Sequence, residues 1–335
     1  MEDIKWLLVG AGDIAQKRVG AALRDAKHSK LVAVCDINEE KVRSLVKEFS
    51  IEQSFTSLEE ALVKSNCDAV YIATPVHLHV PQALLTLDAG FPVLVEKPIS
   101  LSVEEGKTLI TKAKSTGITA ATSYYRRLFP AYQYTKQMLE NQEFGQVVLV
   151  RMVYDSWFSP EPTDPKYWRV IKGKSGSGPI SDMGSHMLDV MIGLLGMPEK
   201  VSVLCDHLVH DWEVEDTSSI LMMMPNGAQV YASFNWSSKT WRHEFELVGR
   251  ESRLVWYPYD SGAMKKTVGR EITDLSLPPA SNVHLPLVQD FVDALLNGKT
   301  PVCPLSEGIK VNILMDSIQK SALEGVEVVI PEIEF

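Results

Sequence analysis

For the first 122 residues, short apolar runs alternate with amphipathic stretches. Residues 4–9, 31–35, 69–72, 92–95 and near 119–122 are runs of the length and composition that form buried strands of a parallel sheet. Between them lie helical patterns at 14–23, 39–49, 80–87 and 103–115. Ser57-x-x-Glu60 and Ser102-x-x-Glu105 are capping boxes, and Gly90 and Gly117 close helices. This alternation predicts a doubly wound parallel sheet of about six strands.

After Ser123 the pattern changes. A helix is predicted to end before Gly145, and strand-like runs follow at 146–154, 201–208, 218–224, 229–234 and 244–248. Pro225-Asn226-Gly227 is a hairpin signal between two of them. Residues 156–179, rich in Gly, Ser and Pro, read as a long loop. Helices at 285–296 and 305–323 and a strand at 326–330 complete the chain. The expected fold is α/β: a doubly wound nucleotide-binding domain over 1–122, then an α+β domain over 123–335 with a large, open, mostly antiparallel sheet. The C-terminal helices would return towards the first domain.

A length of 335 residues, 45% hydrophobic and 23% charged, fits a globular protein of two domains. The net charge of -10 argues against nucleic acid or an anionic membrane as partner. Cys35, Cys67, Cys205 and Cys303 are scattered, a pattern of buried thiols rather than of disulfides or a zinc site. The most apolar helix, around residues 187–197, is too short to cross a bilayer and carries Asp189. Met1 runs almost directly into a strand, leaving no room for a signal peptide, so a cytoplasmic location is expected.

Against this background two groups of residues carry chemistry. The first is Gly10-Ala-Gly12-Asp13-Ile14-Ala15, set between a strand and a helix. Gly10 permits a tight turn, Gly12 lets a pyrophosphate approach the backbone, and Ala15 lets helix pack on strand. Asp36 closes the next strand, where a carboxylate receives an adenosine ribose and repels a 2′-phosphate; Ile37 follows, with no cation to hold that phosphate. NAD is expected, with NADP as the alternative. Asp36 also reads as a turn residue ahead of Asn38, a helix cap. In the same sheet Glu96-Lys97-Pro98 stands at the C-terminal end of a strand, where open α/β sheets bind ligands. His77 and His79 follow Thr74-Pro75, as a ligand edge or as structural hydrogen-bonding groups.

The second group lies at the end of the long loop, where Asp182, His186 and Asp189 are spaced to share one helix face. A histidine beside a carboxylate is a general-base arrangement, a plain surface pair, or two ligands of a metal that lacks an evident third.

Taken together, Gly10-x-Gly12-x-x-Ala15, Thr74-Pro75 with His79, Glu96-Lys97-Pro98, Arg126-Arg127-Leu-Phe129 and Asp182-x-Gly184-x-His186 resemble the Gfo/Idh/MocA oxidoreductases over nearly the whole chain. Ser177 interrupts what is an unbroken glycine run in many members. The resemblance implies a Rossmann domain, an open α/β domain, a nicotinamide in the cleft between them, and pyranose-like or cyclitol substrates. It implies catalytic roles for Lys97, Asp182 and His186. The cofactor would lie against Gly10, Gly12, Asp13, Ile14, Ala15, Asp36, Ala73, Thr74, Pro75, His79, Glu96 and Lys97.

The sequence is thus read as that of an NAD-dependent dehydrogenase oxidising a secondary alcohol of a sugar or cyclitol, with no metal. The alternatives are an NADP-linked sugar or dihydrodiol dehydrogenase, and a cofactor-bound sensor without catalysis. Arg127, Asp155, Trp157, Trp168 and Arg169 are candidate substrate contacts. Met222, Met224, Tyr231 and Trp236 are candidates for the outer face of the second sheet, through which a homodimer or homotetramer would form.

Overall fold

A computed structural model describes residues 2–332. Residues up to Tyr125 cluster with Ala280–Ile309 in one compact unit, and Arg126–Pro279 with the chain from Lys310 in another.

The first unit is built on six parallel strands: β1 (Ile4–Val9), β2 (Ser29–Cys35), β3 (Gln53–Phe55), β4 (Ala69–Ile72), β5 (Val93–Val95) and β6 (Ala120–Thr122). Their order is β3-β2-β1-β4-β5-β6, so the strand order reverses between β1 and β4. That switch point opens a crevice at the carboxyl ends of the two strands, which here lead into Gly10 and Ala73. β4 and β5 are wholly buried, as their unbroken apolar runs require. β3 is three residues long and only partly buried, with no apolar run to mark it in the sequence. The helix after Gly12 begins as a π-turn over Ala15–Val19 before the α-helix Gly20–Asp25, a break in what the sequence reads as one helix. The returning helix Leu285–Asn297 packs on this unit, with Phe291 5.6 Å from the ring of Trp6.

Among the described residues the second unit holds nine strands. β7 (Val147–Trp157), β8 (Lys200–Asp206), β9 (Thr217–Met223), β10 (Gln229–Asn235), β11 (Ser237–Gly249), β12 (Ser252–Trp256), β13 (Ala263–Val268), β14 (Glu271–Ser276) and β15 (Val328–Val329) pair in the order β14-β13-β12-β11-β7-β10-β9-β8-β15. Every neighbouring pair is antiparallel except β10 with β7. β13 and β14, largely polar and exposed, give no apolar signal and escape the sequence reading.

The inner face of this sheet carries Met152, Phe234, Phe245 and Trp256, all buried. The helices Pro130–Glu140 and Ser185–Leu195 cover it: Trp256 donates to Thr135 Oγ1 at 3.2 Å, and Phe234 lies directly under Gly184. Strand alternation therefore puts Met222 and Met224 on the buried side with Trp236, not on the outer face as expected, while Tyr231 does face outwards beside Leu221. The stretch 156–179 is not a bare loop. It holds the turns Tyr167–Val170 and Lys172–Ser175, and Val170 packs with Val214 and Trp236 under Phe158, Tyr167 and Trp212. Among the described residues no helix is long and apolar enough to cross a membrane, and no cluster of His, Cys, Asp and Glu is arranged to hold a metal.

Candidate functional site

In the first unit the glycine turn is set by close backbone approach. Gly10 has φ +97°, and a Cβ there would stand 2.8 Å from the carbonyl of Ala73, so only glycine fits. A Cβ on Gly12 would meet nothing within 4 Å, leaving open space above the turn. Asp36 holds the turn from below: Ala11 N–H donates to Oδ2 at 2.7 Å and Asn38 N–H to Oδ1 at 2.8 Å. Asn38 in turn caps the next helix by accepting from Glu40 and Lys41. The ribose and turn readings of Asp36 are compatible, since each oxygen keeps a free lone pair. Asp13 is exposed and paired with Lys17 at 2.6 Å, Ile14 is half-buried, and Ala15 is fully buried against the sheet. Open space over Gly12 and a carboxylate ending β2 fit a dinucleotide, its pyrophosphate over the turn and its ribose diol on Asp36.

His79 is buried, with Nε2 2.8 Å from the carbonyl of Thr74 and Nδ1 2.8 Å from that of Pro98. It joins the turns that follow β4 and β5, bringing Ala73-Thr74-Pro75 and Lys97-Pro98 together. Thr74 is fixed further by its hydroxyl donating to Gln82 at 2.7 Å.

Glu96 is also buried, and it is a hub rather than an exposed ligand-binding group. Its Oε1 accepts from Tyr71 Oη at 2.8 Å and Ser123 Oγ at 3.1 Å, and lies 3.2 Å from His284 Nε2. Its Oε2 accepts the Lys97 backbone N–H at 3.2 Å. Burial alone would push its pKa up, but His284, Tyr71 and the Lys97 charge reverse this and hold it at about 2. A fixed anion therefore sits beside half-buried Lys97 at the end of β5. Tyr71, Ser123 and His284 were not found by sequence reasoning. Tyr71 is a single hydroxyl within an apolar strand, and His284 is 188 residues from its partner.

In the second unit Asp182 lies on a π-turn, Ile180–Gly184, which runs into the helix Ser185–Leu195 carrying His186 and Asp189. The sequence assumed one α-helix; the π-turn changes the angle between Asp182 and His186, a distortion common at functional sites. Arg169 Nε donates to Asp182 at 3.4 Å, and its guanidinium lies 4.7 Å from the ring of Trp168. Asp182, Trp168 and Arg169 are thus brought together. His186 is buried, and Tyr259 Oη donates to its carbonyl at 3.3 Å. Arg127 is buried and bound to Asp189, so its guanidinium is engaged within the fold.

Asp155 and Trp157 point the other way from Tyr154, whose side of β7 packs beneath the His186 helix. Asp155 accepts from Asn235, and Trp157 is 45% exposed, with Lys239 4.8 Å from its ring. On the His186 side, Tyr154, Arg126, Asp260, His243 and Tyr259 form a second polar cluster, of which only Arg126 stands in a motif the sequence singles out. Arg126 binds both oxygens of Asp260 at 2.7 and 2.8 Å. Burial, with Asp182 and Asp260 adding to it, pushes the Tyr154 phenol up.

Residues 4–124 match the model of the oxidoreductase family with an NAD-binding Rossmann fold, and residues 132–255 match the Gfo/Idh/MocA C-terminal domain. The chain is similar to a mouse (Mus musculus) trans-1,2-dihydrobenzene-1,2-diol dehydrogenase, 30% identical over 70% of this chain and 68% of that one. It is 25% identical to a 1,5-anhydro-D-fructose reductase of Ensifer adhaerens, over 75% of each chain. Among solved structures, the WlbA dehydrogenase of Bordetella pertussis, in complex with NADH and UDP-GlcNAcA, superposes with a TM-score of 0.88 at 22% identity, covering 99% of both chains. A glycine turn over open space, a carboxylate ending β2 and these matches to both units agree: the chain belongs to the Gfo/Idh/MocA family of oxidoreductases.

Proposed function

We propose that the protein is an NAD-dependent dehydrogenase acting on a secondary alcohol of a sugar, sugar derivative or cyclitol. The observation that carries this reading is the buried, ionised Glu96 held against Lys97, which favours a cationic lysine where open α/β sheets present ligands. A nicotinamide cofactor held over the glycine turn and at Asp36 would supply the hydride acceptor for the carbinol carbon. Lys97 stabilises the negative charge that develops on the reacting oxygen. His186 takes the hydroxyl proton as general base, and Asp182, steadied by Arg169, orients the substrate hydroxyl or the imidazole. Trp168 offers a flat apolar surface of the kind that sugars stack on. Support for the substrate class comes from the family and from relatives named for anhydrosugar reduction or bound to a nucleotide sugar. Asp36 supports NAD over NADP because it is anchored where a 2′-phosphate would meet its charge. A panel of aldoses, anhydrosugars, cyclitols and uronic acids, assayed with NAD and NADP by absorbance of the reduced cofactor, tests the reading. No turnover on any member of the panel would overturn it.

We also infer that the outer face of the second sheet joins copies of the chain. Leu204, Leu221 and Tyr231 are exposed there, an apolar surface of the kind that marks an interface. Light scattering on wild type and Leu221→Asp is the test: the wild type is expected as a dimer or tetramer, and the variant as a smaller species.

A further inference from the structure

We propose that His284 is a positioning residue for Lys97, acting through Glu96. The proposal rests on the role given to Lys97 above.

His284 enters the first unit from far along the chain and is held from two sides. Its backbone N–H donates to Asn282 Oδ1 at 3.1 Å. Asn282 Nδ2 donates to the carbonyl of Arg18 at 2.9 Å, and Arg18 Nη1 donates to the carbonyl of Ser281 at 3.2 Å. The segment 281–284 is therefore clipped to the π-turn that follows the glycines. Its imidazole is buried, stacks obliquely on Tyr125 at 4.5 Å, and presents Nε2 to Glu96 at 3.2 Å.

Glu96 is the group through which His284 reaches Lys97. The groups facing its carboxylate are Tyr71 from β4, Ser123 beyond β6, His284 with Tyr125 behind it, and Lys97, with His79 bridging the adjacent turns. Tyr71 and Ser123 supply hydroxyls, and His284 places a ring nitrogen on the same carboxylate oxygen. A buried carboxylate is stable as an anion only while its hydrogen-bond donors remain in place. Without the imidazole, the Glu96 carboxylate loses the partner that fixes its Oε1, and the anion is held less firmly beside the Lys97 ammonium. Lys97 then loses its proton more readily, and with it the charge needed at the reacting oxygen.

The test uses the full-length protein with ¹³C-methylated lysines, reading the Lys97 resonance, assigned with Lys97→Arg, as a function of pH. In His284→Ala the Lys97 midpoint is expected to fall by about one pH unit relative to wild type. His284→Gln, whose amide can still donate to Glu96, is expected to restore at least half of that change. Glu96→Gln removes the charge itself, so it tests the route through Glu96 if His284→Ala does not fold, and should give a fall at least as large. An unmoved Lys97 midpoint in folded His284→Ala or in Glu96→Gln overturns the proposal. So does an equal fall in His284→Ala and His284→Gln. No substrate is needed, so failure of the dehydrogenase reading in the sugar panel remains a separate result.

Discussion

Arg127 and Asp189 form a buried ion pair: Nε donates to Oδ1 at 2.9 Å, and Nη2 lies 2.8 Å from the same oxygen. Both side chains are buried, with Asp189 at 0% exposure. This pair anchors the His186 helix to the chain around Arg127. Asp189→Asn takes the carboxylate charge away from a buried guanidinium and should cost about 3–5 kcal/mol of stability in chemical denaturation. Replacing the pair with Met at 127 and Leu at 189 should recover most of that loss. A purely substrate-binding role for Arg127 predicts unchanged stability in Asp189→Asn.

Gly10 and Gly12 should respond oppositely to alanine. Gly10→Ala drives a Cβ into the Ala73 backbone at positive φ, and is expected to lower the melting temperature sharply. Gly12→Ala has room in the fold, so the melting temperature should hold. Its methyl takes the space above the turn, and NAD affinity should drop on the order of tenfold or more in calorimetric titration.

Asp36→Ser should narrow the preference for NAD over NADP by removing the repelling charge. It should also weaken binding of NAD itself, because the acceptor for the Ala11 N–H is lost along with the ribose contact. Dissociation constants for both cofactors decide this, and an unchanged ratio between them counts against Asp36 as the ribose residue.

Lys97→Ala should reduce kcat by about 10²–10³-fold, the effect of losing one donor to a developing oxyanion. His186→Ala should reduce it by about 10²–10⁴-fold if the imidazole is the general base. Neither side chain is assigned to the pyrophosphate, so NAD affinity should stay near wild type in both. Folded variants with normal turnover would remove these residues from the mechanism.

His243 should make stability depend on pH. Burial, with Arg126 adding to it and Asp260 opposing, lowers its pKa to about 4. The unfolded histidine binds its proton near pH 6.5, so between about pH 6.5 and 4 the unfolded state holds more protons and stability falls as pH falls. The total is about 3 kcal/mol. His243→Phe should flatten that part of the profile, as measured by urea unfolding across the range.

Much of this molecule is written locally in the sequence. β1 and β4 appear as apolar runs with the bounds the structure gives them, and Ser57 and Ser102 cap the helices their spacing foretells. Lys97 and His186 stand out because strand ends and helix faces follow from short-range periodicity. What could not be read there depends on distant pairing. His284 has no local mark that ties it to Glu96, and Asp260 meets Arg126 across 134 residues. β13 and β14 are polar strands specified by their partners, and the side of β7 that meets the His186 helix is fixed by register. Asp155 and Tyr154 are adjacent in sequence, yet alternation sends them to opposite faces.

The segment Ala280–Ile309 gives the nucleotide-binding unit a discontinuous chain. Grafting a different substrate module onto it is therefore a task of insertion, with the new module spliced between Tyr125 and Ala280 and the chain from Lys310, which belongs to the second unit, exchanged along with it. A simple head-to-tail fusion after Thr122 would leave Trp6 without Phe291 and Glu96 without His284. Such a chimaera would keep every glycine of the dinucleotide turn and still lack a wall of its core.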